Sequence, residues 1–479
     1  MPHRLFLWPL ILSGCLGSGV REDLSHLEAQ VDEAPAAAPR QDAAQRPAEG
    51  KGTEPPRQEA ERTASAPPAA SPPATPPTGP QPANEDYLEL NQLIAEALRT
   101  HPEVLESAAR ARAAAENVRS AGALDDPTFK VETEAVPLDH PLAFDRADDN
   151  MFGLSQSFPF PGNLAKRAEA ALYSAQAQGE LHRATRSQLI ASVKAAYYEY
   201  FLLVKEFTIH TDHARLLEEF ERITEARFRS GIGLQQDVLK AQVELVMLHN
   251  DVIELERQLR SVQAVINSFV GRPMNQPLAL PREIQPLTGR VDFEAFLEKA
   301  AESRPELRAA HLRASSARSA LDLATREAFL PNFMIGADYW QVNEGDDAWG
   351  GFVAISLPWL TGKRLAEKRR MAHELRAEEL AEQSATRRAY LELRDAFLRF
   401  EAAGTSVTLV QGELLPKSRQ SVEVSRSSYE NGRSTFLELV AAERALRDVE
   451  IAFYRALAAQ QAAFSELERA AGTNLEVQP

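Results

Sequence analysis

Apolar side chains recur at three- and four-residue steps along four long stretches of this 479-residue chain, over 164–228, 235–270, 365–429 and 436–471. In the first, Leu189, Val193, Ala196, Tyr200 and Leu203 fall on one stripe, no proline interrupts, and Ala, Leu, Glu, Arg and Gln fill much of the rest. That pattern predicts an amphipathic helix of strong helix formers. At 1.5 Å per residue, a helix of about 65 residues is about 100 Å long. Helices of that length have no ordinary globular core to lie on, so they need one another, as in a coiled coil or a helical tube. Many seam positions are Ala, which permits close approach.

Between these stretches the period changes to two. Phe129, Val131, Thr133 and Ala135 alternate with Thr128, Lys130, Glu132 and Glu134; Phe152, Leu154, Phe158 and Phe160 share a face interrupted by Gln156. Phe333, Ile335, Ala337 and Tyr339 share another, as do Gly351, Val353, Ile355, Leu357 and Trp359. Four strands are predicted, over 128–135, 151–160, 332–342 and 349–359, each with one apolar and one polar surface. Such alternation suits a membrane barrel, apolar side to lipid and polar side to water, and equally a small soluble sheet capped by helices. Tyr339, Trp340, Trp349 and Trp359 are placed to supply an interfacial aromatic belt. The intervening loops over 137–150 and 343–348 carry Asp139, Asp145, Asp148, Asp149, Glu344, Asp346 and Asp347.

The second half of the chain repeats the first. Phe228-Arg229-Ser230-Gly231, followed by Leu234, Asp237, Val238 and Leu239, returns as Tyr429-Glu430-Asn431-Gly432, followed by Thr435, Glu438, Leu439 and Val440. At the same offset His101-Pro102-Glu103 pairs with Arg304-Pro305-Glu306, Phe158-Pro159 and Gly162 with Leu357-Pro358 and Gly362, and Gly271 with Gly472. Pro and Gly mark turns and helix ends, so shared punctuation implies a shared backbone path. The expected organisation is a signal peptide over 1–14, a lipidated N-terminus and disordered linker over 15–86, and two repeats over 87–287 and 288–479. The fold class is mainly α with a small β part.

Composition refines this. Arg4 precedes the apolar run over 5–12, which ends Leu12-Ser13-Gly14-Cys15. That pattern reads as a secretory leader, too short to span a bilayer as a helix. Cys15 is the only cysteine, so no intramolecular disulfide is possible. Residues 20–86, with Pro67-Pro68, Pro72-Pro73 and Pro76-Pro77, are too poor in apolar side chains to order themselves, and read as an extended spacer. The net charge of -16 argues against a nucleic-acid partner. With a mean hydropathy of -0.33 and no later apolar run long enough to span, a membrane role has to come from lipid or a β-barrel.

No catalytic or cofactor constellation stands out. His210 and His213 have helical spacing, but nothing beyond Asp212 completes a metal site, so the pair reads as a solvated helix face. There is no phosphate-cradling glycine loop, no nucleophile elbow and no metalloprotease helix.

Two strands per repeat neither close a barrel nor hide their edges, whereas three chains would supply twelve strands and remove every edge. With the duplicated plan, the two Gly-centred tips and Ser157-Phe158-Pro159-Phe160-Pro161-Gly162-Asn163 at the strand-to-helix junction, the chain over 88–476 resembles the TolC-like outer-membrane efflux proteins. The junction resembles the heavy-metal-cation (CzcC-like) branch, which more commonly has Lys at the position of Asn163. The segment before Cys15 resembles a bacterial lipobox, which implies lipidation of that cysteine. The resemblance implies a homotrimer forming a 12-stranded outer-membrane β-barrel continuous with a periplasmic α-helical barrel. It also implies docking through a periplasmic adaptor (membrane fusion) protein onto an inner-membrane pump, of resistance-nodulation-division type, with no cofactor. By position it implies that Asp237, Tyr429 and Glu438, beside Gly231 and Gly432, hold or line the periplasmic entrance. Three copies of Glu438 would form a carboxylate ring favouring cations. The plainer role for Asp237 and Glu438, as acidic residues at helix N-termini, is open alongside. The competing function is a lipid-anchored periplasmic coiled-coil scaffold without a pore.

Overall fold

The computed structural model describes residues 18–32, 87–134, 149–289, 292–342 and 345–473. The leader, Cys15, most of the linker and most of the loop over 137–150 lie outside these.

Each half begins with two helices split at an X-Pro step. Helices α2 (Leu90–Thr100) and α3 (Pro102–Gly122) part at His101; α6 (Phe293–Ser303) and α7 (Pro305–Phe329) part at Arg304. Both junction residues are extended, since a following proline disfavours the helical region, and each proline then opens the next helix where no N–H is needed.

The long helices follow. Helix α4 runs unbroken over Asn163–Arg229 and turns back into α5 (Gln235–Val270). In the second half the stretch expected as one helix over 365–429 is divided: α8 (Lys363–Leu409), a π-helical segment Val410–Leu414, and α9 (Leu415–Glu430), which turns back into α10 (Phe436–Ala471). Pro416 explains the difference. It has no N–H to donate and its ring crowds the carbonyl four residues earlier, at Gly412, so the helix widens by a π turn and restarts with Pro416 in its first turn. Gly271 and Gly472 end α5 and α10 in the same left-handed conformation, φ 71° in both. At Gly472 a side chain would also strike the Arg304 backbone.

Strands β1 (Thr128–Glu134), β2 (Asp149–Phe158), β3 (Phe333–Val342) and β4 (Ala348–Ile355) form one antiparallel sheet in sequence order, with β1 and β4 as its edges. The centre of the sheet is a pairing between the two halves, Phe152 opposite Tyr339 and Phe158 opposite Phe333. Asp149, read as loop, is the first residue of β2. The fourth strand stops at Ile355 instead of reaching Trp359, because Pro358 cannot donate to a ladder and starts a 3-10 turn, Pro358–Leu360.

The N-terminal region also departs from expectation. Ser18–Asp32 is a helix, α1, whose Leu24 and Leu27 are buried against Ala115, Val118, Leu172 and Ala175 of α3 and α4. Val20, Leu24 and Leu27 are spaced at four and three, enough for one apolar stripe, which composition averaged over 20–86 concealed.

Two larger clusters stabilise the helical body. One, at the waist, gathers Leu93, Val193, Tyr200, Leu255, Leu259 and Ile266. The chain leaving α5 is laced over it. Leu88 N donates to Leu280 O at 2.9 Å, Arg282 N to the Tyr197 hydroxyl at 3.2 Å, and the Gln460 amide bonds both ways with the Leu287 backbone at 3.0 Å. The other cluster, towards the turns of the hairpins, joins Leu217, Phe220, Ala241, Leu248, Phe436 and Leu439.

Candidate functional site: the helical tips and the sheet wall

The two tips are built alike. Gly231 (φ 78°) and Gly432 (φ 72°) take the left-handed conformation that lets a helix end and reverse, and nothing crowds a side chain there, so the backbone alone selects glycine. Ile232 N donates to Arg227 O at 3.0 Å, and Arg433 N to Ser428 O at 2.8 Å, closing the same six-residue turn.

Their return helices start differently. Leu234 precedes α5 without a side-chain cap, and Asp237 lies in its first turn, where a carboxylate complements the helix dipole. Thr435 caps α10 reciprocally with Glu438: Glu438 N donates to Thr435 Oγ1 at 3.3 Å, and Thr435 N to Glu438 Oε2 at 3.0 Å. Glu438 therefore has a local structural role whatever else it faces.

Tyr429 links the two hairpins. Its ring packs 5.8 Å from that of buried Phe436, the Arg227 guanidinium of α4 stands 4.9 Å over its face, and Arg227 Nη1 donates to its carbonyl at 3.4 Å. Burial pushes the Tyr429 phenol above its ordinary pKa; Arg227 opposes this and the Asp237 charge adds to it. The structure thus brings Tyr429 and Asp237 into one field and leaves Glu438 on its own helix terminus. Arg227 did not emerge from the sequence. Its only signal is that one repeat has Arg where the other has Ser428.

Above the tips, a polar seam joins α10 to the first hairpin. Lys194 meets Glu468 at 2.5 Å, Arg455 meets Glu206 at 2.9 Å, and Arg444 Nε donates to Glu244 at 2.6 Å. His213 lies within it rather than on a solvated face: Nε2 is 3.5 Å from Glu450 and Nδ1 3.9 Å from Glu443. Burial raises the Glu443 carboxyl, whereas the hydrogen bond from His213 is the largest cause holding Glu450 down. His210 instead bonds the Glu206 carbonyl, at 2.9 Å. Among the described residues no group of three or more His, Cys, Asp or Glu is placed to hold a metal ion.

The sheet at the far end has two unlike faces. Pairing puts Phe129, Val131, Phe152, Leu154, Phe158, Phe333 and Ile335 on one face together with Tyr339, Trp349, Val353 and Ile355. These side chains are largely exposed, Trp349 at 83%. Every charged residue of the four strands, Lys130, Glu132, Glu134, Asp149 and Asp338, is on the other. Trp340 is on the charged face, opposite to Tyr339, and Trp359 is out of the sheet altogether, so the expected aromatic belt keeps only Tyr339 and Trp349. No helix among the described residues is long and apolar enough to cross a membrane.

The family model for outer membrane efflux protein matches the chain twice, over 93–272 and 296–473. The chain belongs to that family. As an outer membrane efflux protein it is similar to outer membrane protein OprJ of Pseudomonas aeruginosa, with 24% identity over 329 residues, 65% of this chain and 67% of OprJ. Its fold matches that of the outer-membrane channel OprN with a TM-score of 0.70 at 19% identity, covering 80% of this chain and 90% of OprN. The outer membrane protein VceC of Vibrio cholerae gives 0.69 at 19% identity, covering 81% and 97%. The two family matches coincide with the two copies of the plan, helix pair, hairpin, long helix and return helix.

Proposed function

We propose that this outer membrane efflux protein is the exit duct of a tripartite efflux system, a passive conduit rather than an enzyme. Three copies close their sheets into a 12-stranded barrel in the outer membrane, and their helices into a periplasmic tube. One observation carries the reading: a four-stranded sheet with two open edges, an exposed uncharged apolar face and all its strand charges on the other face. A soluble monomer has no use for that surface, whereas closure hides both edges, gives the apolar face to lipid and the charged face to water. Cys15 supplies a lipid anchor to the same membrane. A periplasmic adaptor engages the tips and couples the duct to an inner-membrane pump, of resistance-nodulation-division type, which supplies the energy.

In the closed state the tips narrow the entrance. Arg227, Tyr429 and Asp237 hold the second hairpin against the first, and Glu438 lines the opening. Opening separates α9 and α10 from α4, a two-state change biased by the adaptor. Native mass spectrometry and single-channel recording in planar bilayers test the duct. The expected results are a trimer and discrete conductance steps. A monomer with no current leaves the coiled-coil scaffold as the reading.

A further inference from the structure

From the charged face of the sheet we infer a binding surface for aromatic organic cations on the inner wall of the exit barrel. This rests on the duct reading, which makes that face the lumen. Three adjacent rows across the strands are fixed by the pairing: Thr128, Ser155, Gly336, Phe352; then Lys130, Gly153, Asp338, Gly350; then Glu132, Met151, Trp340, Ala348. Three of the side chains do not stand away from the wall. Each lies over a glycine of a neighbouring strand.

A Cβ at Gly336 would run into the Phe352 ring, one at Gly350 would meet the Trp340 ring at 2.9 Å, and one at Gly153 the Asp338 carboxylate at 2.5 Å. A side chain at any of these glycines would displace its neighbour. The glycines are a floor on which two rings and a carboxylate rest, with the opposite side of each left to the lumen. The Phe352 ring rests over Gly336 in the first row, and the Trp340 ring and Asp338 carboxylate rest over Gly350 and Gly153 in the second; adjacent rows on one face are about 7 Å apart, so the three groups lie within reach of one small guest.

Charge selects the guest. Lys130 is paired with Glu132. Asp338 forms no ion pair among the described residues, and Glu134 and Asp149 add negative charge in the next row. A wall with four carboxylates and one already paired ammonium per chain concentrates cations. Aromatic faces bind them further when they carry an apolar part, through cation–π attraction and contact. The surface therefore discriminates by two features together, positive charge and an aromatic or apolar body.

The test is concentration-dependent partial block and current noise in reconstituted wild-type channels, with benzyltrimethylammonium as probe. Tetramethylammonium and benzyl alcohol each carry half of its chemistry. Benzyltrimethylammonium is expected to act at the lowest concentration. Trp340→Ala and Asp338→Asn should each weaken its apparent affinity about two- to fivefold, Trp340→Phe should retain most of it, and Trp349→Ala on the lipid face should leave it unchanged. If a substitution prevents channel formation, quenching of Trp340 by the probe is followed in wild-type-like trimers with Trp349 and Trp359 changed to Phe. Equal action by all three probes, or insensitivity to both Trp340→Ala and Asp338→Asn, overturns the site while the duct stands. Absence of any wild-type current overturns the duct and the site with it.

Discussion

At the scale of single residues, the acidic position of the second tip carries two separable roles. Glu438 completes a capping box with Thr435, and it is also the candidate lumenal carboxylate. Thr435→Ala breaks the cap and keeps the charge, whereas Glu438→Ala removes both. Each should destabilise the start of α10 by about 1 kcal/mol, read as faster amide exchange there. Only Glu438→Ala should lower cation selectivity in bilayers; equal selectivity in both variants would leave Glu438 as a cap alone. Glu443 offers a second prediction, in pH. Its carboxyl is raised by burial, so the folded state disfavours its ionised form, and that cost is present above the raised value and relieved below the ordinary carboxylate range. Glu443→Gln should therefore raise the melting temperature at pH 7 and lose the advantage near pH 4. Glu450 runs the other way: held low chiefly by His213, it stabilises above the ordinary carboxylate value and loses that as the pH falls. The glycines and acids of the tips were legible in the sequence because turn chemistry is local. Arg227 and the buried seat of His213 were not, since both depend on which helix lies opposite.

At the scale of elements, long periodic helices were the most legible feature, and 235–270 and 436–471 form as expected because nothing in them breaks the backbone hydrogen-bond ladder. The misses have local causes outweighed in the reading by a larger pattern. Pro416 was submerged in an otherwise helical run, the short stripe of α1 in a proline-rich region, and Pro358 in a run of alternating residues. The π segment is an extra residue in the helix, and it sets the rotation of everything after it. Deleting Gly412 together with Pro416→Ala, which removes the ring that forces the wide turn, would restore an α register and turn α9 by about 100° about its axis. That moves Tyr429 off the Arg227 guanidinium. The expected outcome is a trimer that still forms but dwells longer in high-conductance states; unchanged dwell times would mean that the Arg227–Tyr429 contact does not hold the tip.

At the scale of the whole molecule, the duplicated plan and the incompleteness of one sheet were readable from punctuation and strand count. Which residues face lipid and which face water was not readable for the tryptophans, because aromatic residues occupy both faces. Strand register decides it: Trp349 shares a face with Val353 and Ile355, and Trp340 shares one with Asp338. In proteoliposomes, single-tryptophan variants retaining Trp349 should be quenched by brominated lipid and spared by aqueous iodide, and variants retaining Trp340 the reverse. Common behaviour of the two would place the sheet outside a bilayer.

The pairing of β2 with β3 has a consequence for biogenesis. The middle of the sheet is made by strands from opposite halves of the chain, with α4 and α5 between them in sequence. Local contacts form sooner than distant ones, so the first helical hairpin can assemble while β2 still lacks its neighbour. Until the second half has been exported, Phe152, Leu154 and Phe158 stand on a strand paired with β1 alone, its other edge open in an aqueous compartment, an invitation to aggregate. That exposure lasts for as long as translocation of the remaining residues takes.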